Sequence, residues 1–182
     1  MIADIGAGDG RAVLARARAE PASLVLGVDA ATAAMAEASG RAARRGPANA
    51  IYLAAGAETL ADTPLAGRMD LVTVTFPWSS LLRGVLGLDP RALAGIAALP
   101  APGGRIEILA SVMPSDRIEG ISSLDACLEP GICRSWAAVG IELVTMRLAT
   151  SEEIVASRSS WSRRLGARRD ARAVWRLDLC RP

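Results

Sequence analysis

The sequence contains no histidine and no lysine, and its aromatic residues are only four Trp, one Tyr and one Phe. The lack of histidine argues against a His-dependent catalytic triad, and Cys127, Cys133 and Cys180 lack zinc-site spacing, so no metal is expected. There is no run of about 18 uncharged apolar residues for a membrane span. Asp4 and Asp9 interrupt the start, which argues against a signal peptide. We therefore expect a cytoplasmic protein with no membrane partner.

The 182 residues fit one domain, and the apolar fraction of 51% suits a helix-covered parallel sheet. The net charge is +2, and every basic residue is Arg. Arginines outnumber acids most strongly in residues 151–182, which carry eight Arg and four acids. The charge therefore leaves nucleic-acid binding open without requiring it.

Predicted strands and helices alternate along most of the chain. Strands are predicted at Met1–Asp4, Leu24–Asp29, Ile51–Ala54, Asp70–Thr75, Arg105–Ala110, Ile141–Leu148 and Ala173–Leu179. Helices are predicted at 11–20 and 30–45, once or twice within 79–99, and at Glu152–Arg164 with Thr150 or Ser151 as N-cap. Residues 113–135 are predicted to be a long inserted loop or short helix. This order predicts an α/β fold with a mostly parallel sheet, helices on both faces and an antiparallel last hairpin.

A glycine-rich turn between the first strand and helix reads Asp4-Ile5-Gly6-Ala7-Gly8-Asp9-Gly10. Glycine lets the backbone approach a ligand closely, but the spacing is G-x-G-x-G rather than the G-x-G-x-x-G of dinucleotide folds. The acid before it would repel a pyrophosphate and suits the ammonium of S-adenosylmethionine (SAM), which has no phosphate. Asp29, which ends the second strand, is placed to accept hydrogen bonds from ribose hydroxyls.

These features resemble the class I SAM-dependent methyltransferase fold, with a phosphate-binding Rossmann domain as the alternative. In that fold the turn after the third strand carries the adenine contacts, and here it reads Ala55-Gly56-Ala57-Glu58. The alternative role for Glu58 is an acid at a helix start that interacts with the helix dipole.

Two tryptophan motifs, Phe76-Pro77-Trp78-Ser79-Ser80 and Ser159-Ser160-Trp161, suggest a clamp for a flat ring such as a flipped nucleobase. Many members of the fold carry an Asn or Asp in the loop after strand four, and this chain has none there. The target nitrogen therefore needs no hydrogen bond from the loop. Adenine N1 fits, because its lone pair is free at neutral pH and catalysis reduces to positioning for in-line transfer.

The two motifs, together with the glycine turn, Asp29 and Ala57–Leu60, resemble the Kam-type aminoglycoside-resistance methyltransferases, which modify N1 of adenine 1408 in 16S rRNA. The resemblance implies a monomer that acts on the 30S subunit, with Trp78 and Trp161 stacking on the two faces of a flipped adenine. It implies a cofactor-binding set of Asp4, Gly6, Gly8, Asp29, Ala55, Ala57, Glu58, Ser80 and Ser159. It implies an RNA-binding set of Arg41, Arg44, Arg45, Arg164 and Arg172.

Each implied role has an alternative. A helix-end cluster of arginines can be a solvated cap, Trp161 with Leu165 can be a core stripe, and Trp78 can plug the sheet edge. Trp136 and Trp175 are expected to pack in the core. The other functional hypotheses are a small-molecule methyltransferase of the same fold and an inactive truncated relative.

The family carries a basic N-terminal hairpin and a full first strand, whereas here three residues precede Asp4. We expect a single domain over 1–182 that lacks the hairpin and most of strand one. The edges of the neighbouring strands are therefore expected to be exposed.

Overall fold

The strands of the chain form one sheet of seven strands. The structure, a computed structural model, describes residues 1–119, 121–159 and 173–182, without the side chain of Ala34. Its strands are β1 (Ile2–Ile5), β2 (Val25–Asp29), β3 (Ala50–Ala54), β4 (Met69–Thr75), β5 (Pro100–Ala110), β6 (Glu142–Leu148) and β7 (Trp175–Cys180).

The strand order is β3-β2-β1-β4-β5-β7-β6, parallel from β3 to β5, with β7 antiparallel to both β5 and β6. The predicted α/β class and the antiparallel last hairpin are confirmed. Strand β1 lies inside the sheet between β2 and β4, and all four of its residues pair with both neighbours. The neighbouring edges are therefore paired over this stretch, contrary to the expected exposure, because Met1 O also accepts the N–H of Asp70.

Six helices cover the two faces of the sheet within the described part of the chain. They are α1 (Arg11–Ala19), α2 (Thr32–Arg45), α3 (Ser79–Val85), α4 (Pro90–Ala98), α5 (Glu129–Ala137) and α6 (Ser151–Ala156). The apolar residues of α1 and α2 pack on one face with Ile2 and Val25. Those of α3, α4 and α5 pack on the other, around Ala3, Ile5 and Val74. The alternation of side chains along the buried strands therefore builds two separate cores.

Two predicted boundaries were wrong. β5 begins at Pro100 rather than Arg105, and residues 101–104 form a bulge between the pairs Met69–Pro100 and Leu71–Arg105. The segment 113–135, predicted as a long loop or short helix, includes most of the short helix α5, which buries Ile132 and Trp136 against the sheet. Helix α6 has the predicted Thr150 cap but ends at Ala156, and Arg158 adopts a positive φ of 51°.

Candidate cofactor and substrate site

The glycine turn between β1 and α1 has an unusual backbone. Gly6, Gly8 and Gly10 have φ of 77°, 56° and 67°, which residues with a Cβ rarely adopt. A Cβ on Gly6 would also lie 2.6 Å from Leu81 Cδ2 of α3. The turn therefore depends on glycine for its conformation and, at Gly6, for its close contact with α3.

Asp29, the last residue of β2, holds the glycine turn with its carboxylate. Its Oδ2 accepts the N–H of Gly8 at 2.8 Å, and its Oδ1 accepts the N–H of Ala31 at 2.7 Å. Each carboxylate oxygen has a further lone pair that can accept another donor. This geometry fixes a carboxylate acceptor at the C-terminal end of β2.

A cleft of about 380 Å³ opens above the glycine turn. Among the described residues its lining includes two acids and no basic residue. The lining residues are Ile5, Gly6, Val28, Asp29, Ala30, Ala31, Ala55, Gly56, Ala57, Glu58, Trp78, Ser79, Ser80 and Leu81. The Glu58 carboxyl folds back over Gly56, where a Cβ would lie 2.6 Å from Glu58 Cδ. A cleft with carboxylates and no cation disfavours a phosphate and suits a ligand with hydroxyl or ammonium donors.

Tyr52 of β3 supports the same turn from below. Its hydroxyl donates to the Gly10 carbonyl at 3.0 Å, and a Cβ on Gly10 would lie 2.6 Å from Tyr52 Cε1. Burial raises the pKa of the Tyr52 hydroxyl to about 12, so this donor stays protonated at neutral pH. Sequence reasoning missed this contact, because β3 and the turn are 42 positions apart.

Asp4 lies apart from this cleft. Its Oδ1 accepts the Thr73 hydroxyl at 2.8 Å, and it lines a second cleft of about 210 Å³ between α1 and β4, with Arg16, Thr75 and Ser157 among the lining residues. Burial raises the pKa of the Asp4 carboxyl from 3.8 to about 6. Of the three acids in the predicted cofactor set, Asp4 therefore faces a different cleft from Asp29 and Glu58. Thr73 and Thr75 of β4, two hydroxyl residues between apolar neighbours, were the missed signal for the second cleft.

The segment that follows β4 carries the predicted stacking residue. Trp78 is 70% exposed at the mouth of the larger cleft, next to Ser79 and Ser80. Phe76 and Ser79 have φ of 50° and 55°, a left-handed conformation that costs energy outside glycine. Two strained residues around one exposed indole indicate that the fold holds Trp78 out of the core. The alternative that Trp78 plugs the sheet edge is wrong.

The predicted RNA-binding arginines fall in two groups. Arg41, Arg44 and Arg45 lie exposed at the C-terminal end of α2, where Arg41 pairs with Glu37 at 2.5 Å. This end is about 20 Å from the cleft, since the helix has 14 residues. The second group and its neighbouring Trp lie outside the described residues, namely Trp161, Arg164 and Arg172.

The remaining predicted residues have simpler settings. Ser159 is the last described residue before residue 160, two positions after Ser157 of the smaller cleft. Trp136 is fully buried, and its Nε1 donates to Val85 O at 3.0 Å, as expected for core packing. Trp175 is half-buried and also packs against the core.

The sequence predicts no metal site and no membrane span. The described residues contain no group of three acids or cysteines that could hold a metal ion. All three cysteines are free thiols. Over 1–119, 121–159 and 173–182, no helix has both the length and the apolar content to cross a bilayer.

The matching family model and two similar proteins carry the same description. The family model for NpmA, described as 16S rRNA (adenine(1408)-N(1))-methyltransferase, matches residues 1–179. A protein of that description from Streptoalloteichus hindustanus is 34% identical over 179 residues, which are 93% of this chain and 82% of the relative. Another, from Streptoalloteichus tenebrarius, is 36% identical over 183 residues, again covering 93% of this chain and 82% of the relative.

Two solved structures of 16S rRNA methyltransferases are also similar to this chain. The crystal structure of the 16S rRNA methyltransferase KamB has a TM-score of 0.87 at 32% identity, and the match covers 100% of this chain and 87% of KamB. A mutant of the 16S rRNA (adenine(1408)-N(1))-methyltransferase from Catenulisporales acidiphilia, solved with its cosubstrate SAM, has a TM-score of 0.84 at 31% identity. That match covers 99% of this chain and 84% of the mutant protein.

Proposed function

Because this chain belongs to the 16S rRNA (adenine(1408)-N(1))-methyltransferase family, we propose that it methylates N1 of adenine 1408 in 16S rRNA within the 30S subunit. The chain is an enzyme of this family, and its methyl donor is SAM. In this proposal, methylation of adenine 1408 makes the ribosome resistant to aminoglycosides. The enzyme acts in the cytoplasm as a monomer.

One observation carries the proposal: Trp78 stands exposed at the mouth of the cofactor cleft, on a strained turn that offers no carboxylate or amide. A planar base can stack on this indole, which contributes roughly 1–3 kcal/mol per stacked face. Adenine N1 has an in-plane lone pair and no proton at neutral pH. The protein therefore has no proton to remove, and its residues act by orientation.

The cleft residues fit SAM in a defined way. Asp29 would accept the ribose hydroxyls, and Ala55, Ala57 and Glu58 would flank the adenine ring. Gly6 and Gly8 would let the turn approach the sulfonium end, which supplies the methyl group. Ser80 would lie at the methionine end. The acidic lining, which has no cation among the described residues, supports this fit.

Asp4 and Ser159 would bind the methionine end of SAM from the second cleft. The Asp4 carboxylate is the charge partner that an ammonium requires, and the smaller cleft gives access to it. Thr73 holds this carboxylate by the 2.8 Å hydrogen bond. In this arrangement the methionine moiety reaches past the glycine turn, toward Asp4.

The RNA side of the proposal combines stacking with charge. Trp161 would stack on the second face of the flipped adenine, and Arg164 and Arg172 would line its entrance. Arg41, Arg44 and Arg45 would contact the rRNA backbone about 20 Å from the cleft. Such contacts read RNA shape and phosphates rather than base sequence.

The deciding experiment is primer extension on 16S rRNA from 30S subunits treated with the enzyme and SAM. We expect a reverse-transcription stop next to adenine 1408, and its loss in Trp78→Ala while SAM still binds by calorimetry. Trp136→Phe is the control for loss of an indole, because that ring is buried and does not line the cleft. Methylation that persists in both Trp78→Ala and Trp161→Ala would reject the stacking mechanism. Turnover on a free metabolite without ribosomes would favour a small-molecule enzyme.

A further inference from the structure

Helix α4 contributes no residue to the cofactor cleft, yet both walls of the cleft rest on it. One wall is Ala57 and Glu58, which begin a 3₁₀ turn, and the other is Ser79 and Ser80, which begin α3. Helix α4 packs against the 3₁₀ turn and against α3. The separation of the two walls therefore depends on how closely each one approaches this helix.

The first wall touches α4 at Gly95. A Cβ on Gly95 would overlap the Ala57 carbonyl oxygen and lie 2.8 Å from the Ala57 carbonyl carbon. Both atoms belong to the backbone, so no side chain can rotate to relieve the overlap. A methyl group here would push the start of the 3₁₀ turn, and with it Ala57 and Glu58, into the cleft.

The second wall touches α4 at Gly84 of α3. A Cβ on Gly84 would lie 2.7 Å from Ala92 Cβ and 3.1 Å from Leu93 N. These atoms are also fixed by the α4 backbone, and Gly84, Ala92 and Leu93 are all buried. A methyl group here would displace α3, which carries Trp78 at its N-terminal end.

We propose that Gly95 and Gly84 are positioning residues that set the two walls of the cleft separately from one supporting helix. Gly95 sets the wall against the adenosine half of SAM. Gly84 sets the wall that presents Trp78 to the target base. The Gly84 half rests on the proposed function, whereas the Gly95 half requires only that the cleft binds SAM.

The test separates cofactor affinity from RNA turnover. For Gly95→Ala we expect the Kd of SAM and of 5′-methylthioadenosine, measured by calorimetry, to rise by about tenfold or more. For Gly84→Ala we expect the Kd of 5′-methylthioadenosine to stay near the wild-type value, because this ligand lacks the methionine end that Ser80 is proposed to face. Its kcat/KM on 30S subunits at saturating SAM should fall by up to about 100-fold, the effect of a misplacement near 1 Å.

Gly131→Ala is the matched control. Gly131 lies in α5, and a Cβ there meets no atom within 4 Å, so both readouts should stay unchanged. The proposal is overturned if Gly95→Ala and Gly84→Ala, both folded, change the two readouts alike or change neither. If either variant fails to melt cooperatively, Ile96→Val replaces Gly95→Ala and Ala92→Gly replaces Gly84→Ala. The same difference between cofactor affinity and turnover is then expected, with smaller changes in each.

The two proposals fail in different ways. If the wild-type enzyme does not methylate 30S subunits, the proposed function is wrong, while the calorimetric result still decides the role of Gly95. The role of Gly84 is then decided by iodide quenching of Trp78 fluorescence, corrected with Trp78→Phe. Quenching equal to wild type in Gly84→Ala would contradict a role in placing Trp78.

Discussion

At the scale of single residues, Asp29 joins the glycine turn to the start of α2. One carboxylate organises the glycine turn through Gly8 and the start of α2 through Ala31. Hydrogen bonds to a charged group contribute about 1.5–3 kcal/mol each, more than neutral ones. The residue that is expected to bind ribose therefore also holds the turn beneath the cofactor.

Asp29→Asn should weaken SAM binding by roughly 10- to 100-fold, because the amide nitrogen would face one of the two backbone N–H donors. Calorimetric titration with SAM measures this change. Asp9→Asn is the control, since Asp9 lies in the same turn, where its carboxylate accepts the Arg11 N–H at 3.1 Å and pairs with the Arg11 guanidinium at 3.7 Å. A Kd in Asp29→Asn equal to wild type would contradict the assigned role.

Asp4 should make stability and SAM binding depend on pH near 6. Burial raises its pKa from 3.8 to about 6, so the folded state binds the proton more tightly than the unfolded state. This carboxyl therefore loses about 3 kcal/mol of stabilisation as pH rises from 3.8 to 6, and nothing further above that. SAM affinity should rise over the same range, because the ionised form accepts the ammonium.

Urea unfolding and SAM calorimetry between pH 4.5 and 8 measure both effects. Asp4→Asn should remove them, and its stability relative to wild type should improve with rising pH up to 6. Thr73→Val removes the hydrogen bond that favours the ionised form, so the midpoint should move to higher pH. If the pH midpoint of Thr73→Val equals that of wild type, the assignment of this pH dependence to Asp4 is contradicted.

At the scale of elements, Glu153 fixes the start of α6. Its carboxylate accepts the Thr150 N–H at 2.8 Å and pairs with Arg147 at 2.6 Å and Arg176 at 3.4 Å, while its own N–H bonds the Thr150 hydroxyl. The Arg147 hydrogen bond, followed by the Thr150 N–H, lowers the pKa of Glu153 to about 2. A helix of only six residues depends on such capping.

Glu153→Gln should lower stability at pH 7 by roughly 1–2 kcal/mol, through the lost ion pairs and the weakened cap. The folded pKa is below the unfolded value of 4.5, so this contribution is complete above 4.5 and is lost as pH falls toward 2. Thermal melting at pH 7 and pH 2.5 should therefore show wild type and variant converging in acid. Glu152→Gln, at the exposed neighbouring position in the same helix turn, should match wild type at both.

Local sequence signals predicted these elements unevenly. The Thr150 cap was predicted, because caps depend on residues within three positions. The choice between loop and helix at 113–135 stayed open, since Pro130 and Gly131 resemble a loop and the helical state of α5 is decided by burial of Trp136. The predicted extent of α6 was too long, because a helical composition does not report the positive φ of Arg158.

At the scale of the whole molecule, the arginines at the end of α2 lie apart from the larger cleft. The described lining of that cleft has two acids and no cation, whereas the C-terminal end of α2 carries three exposed arginines about 20 Å away. An RNA substrate that contacts both places must be large and must present phosphates at that spacing. A folded ribosomal subunit meets this requirement and a free nucleoside does not.

The triple variant Arg41→Ala, Arg44→Ala, Arg45→Ala should lower kcat/KM on 30S subunits and flatten its salt dependence, by up to about one unit of slope for each lost phosphate contact. The Kd of SAM should not change. Glu37→Gln should act in the opposite direction, because it frees Arg41 from its ion pair. Turnover across a salt series measures both, and an unchanged slope in the triple variant would contradict RNA docking at this end of α2.

The sequence by itself determined the order of strands and helices, the glycine turn and the position of Asp29, because these depend on side-chain periodicity and on residues that tolerate a positive φ. The tertiary structure decided that Asp4 faces Thr73 and a second cleft, that Tyr52 supports Gly10, and that Gly95 lies against Ala57. Each of these contacts joins residues far apart in the chain. Strand register and helix packing therefore determine these contacts, and no short stretch of sequence specifies the register or the packing.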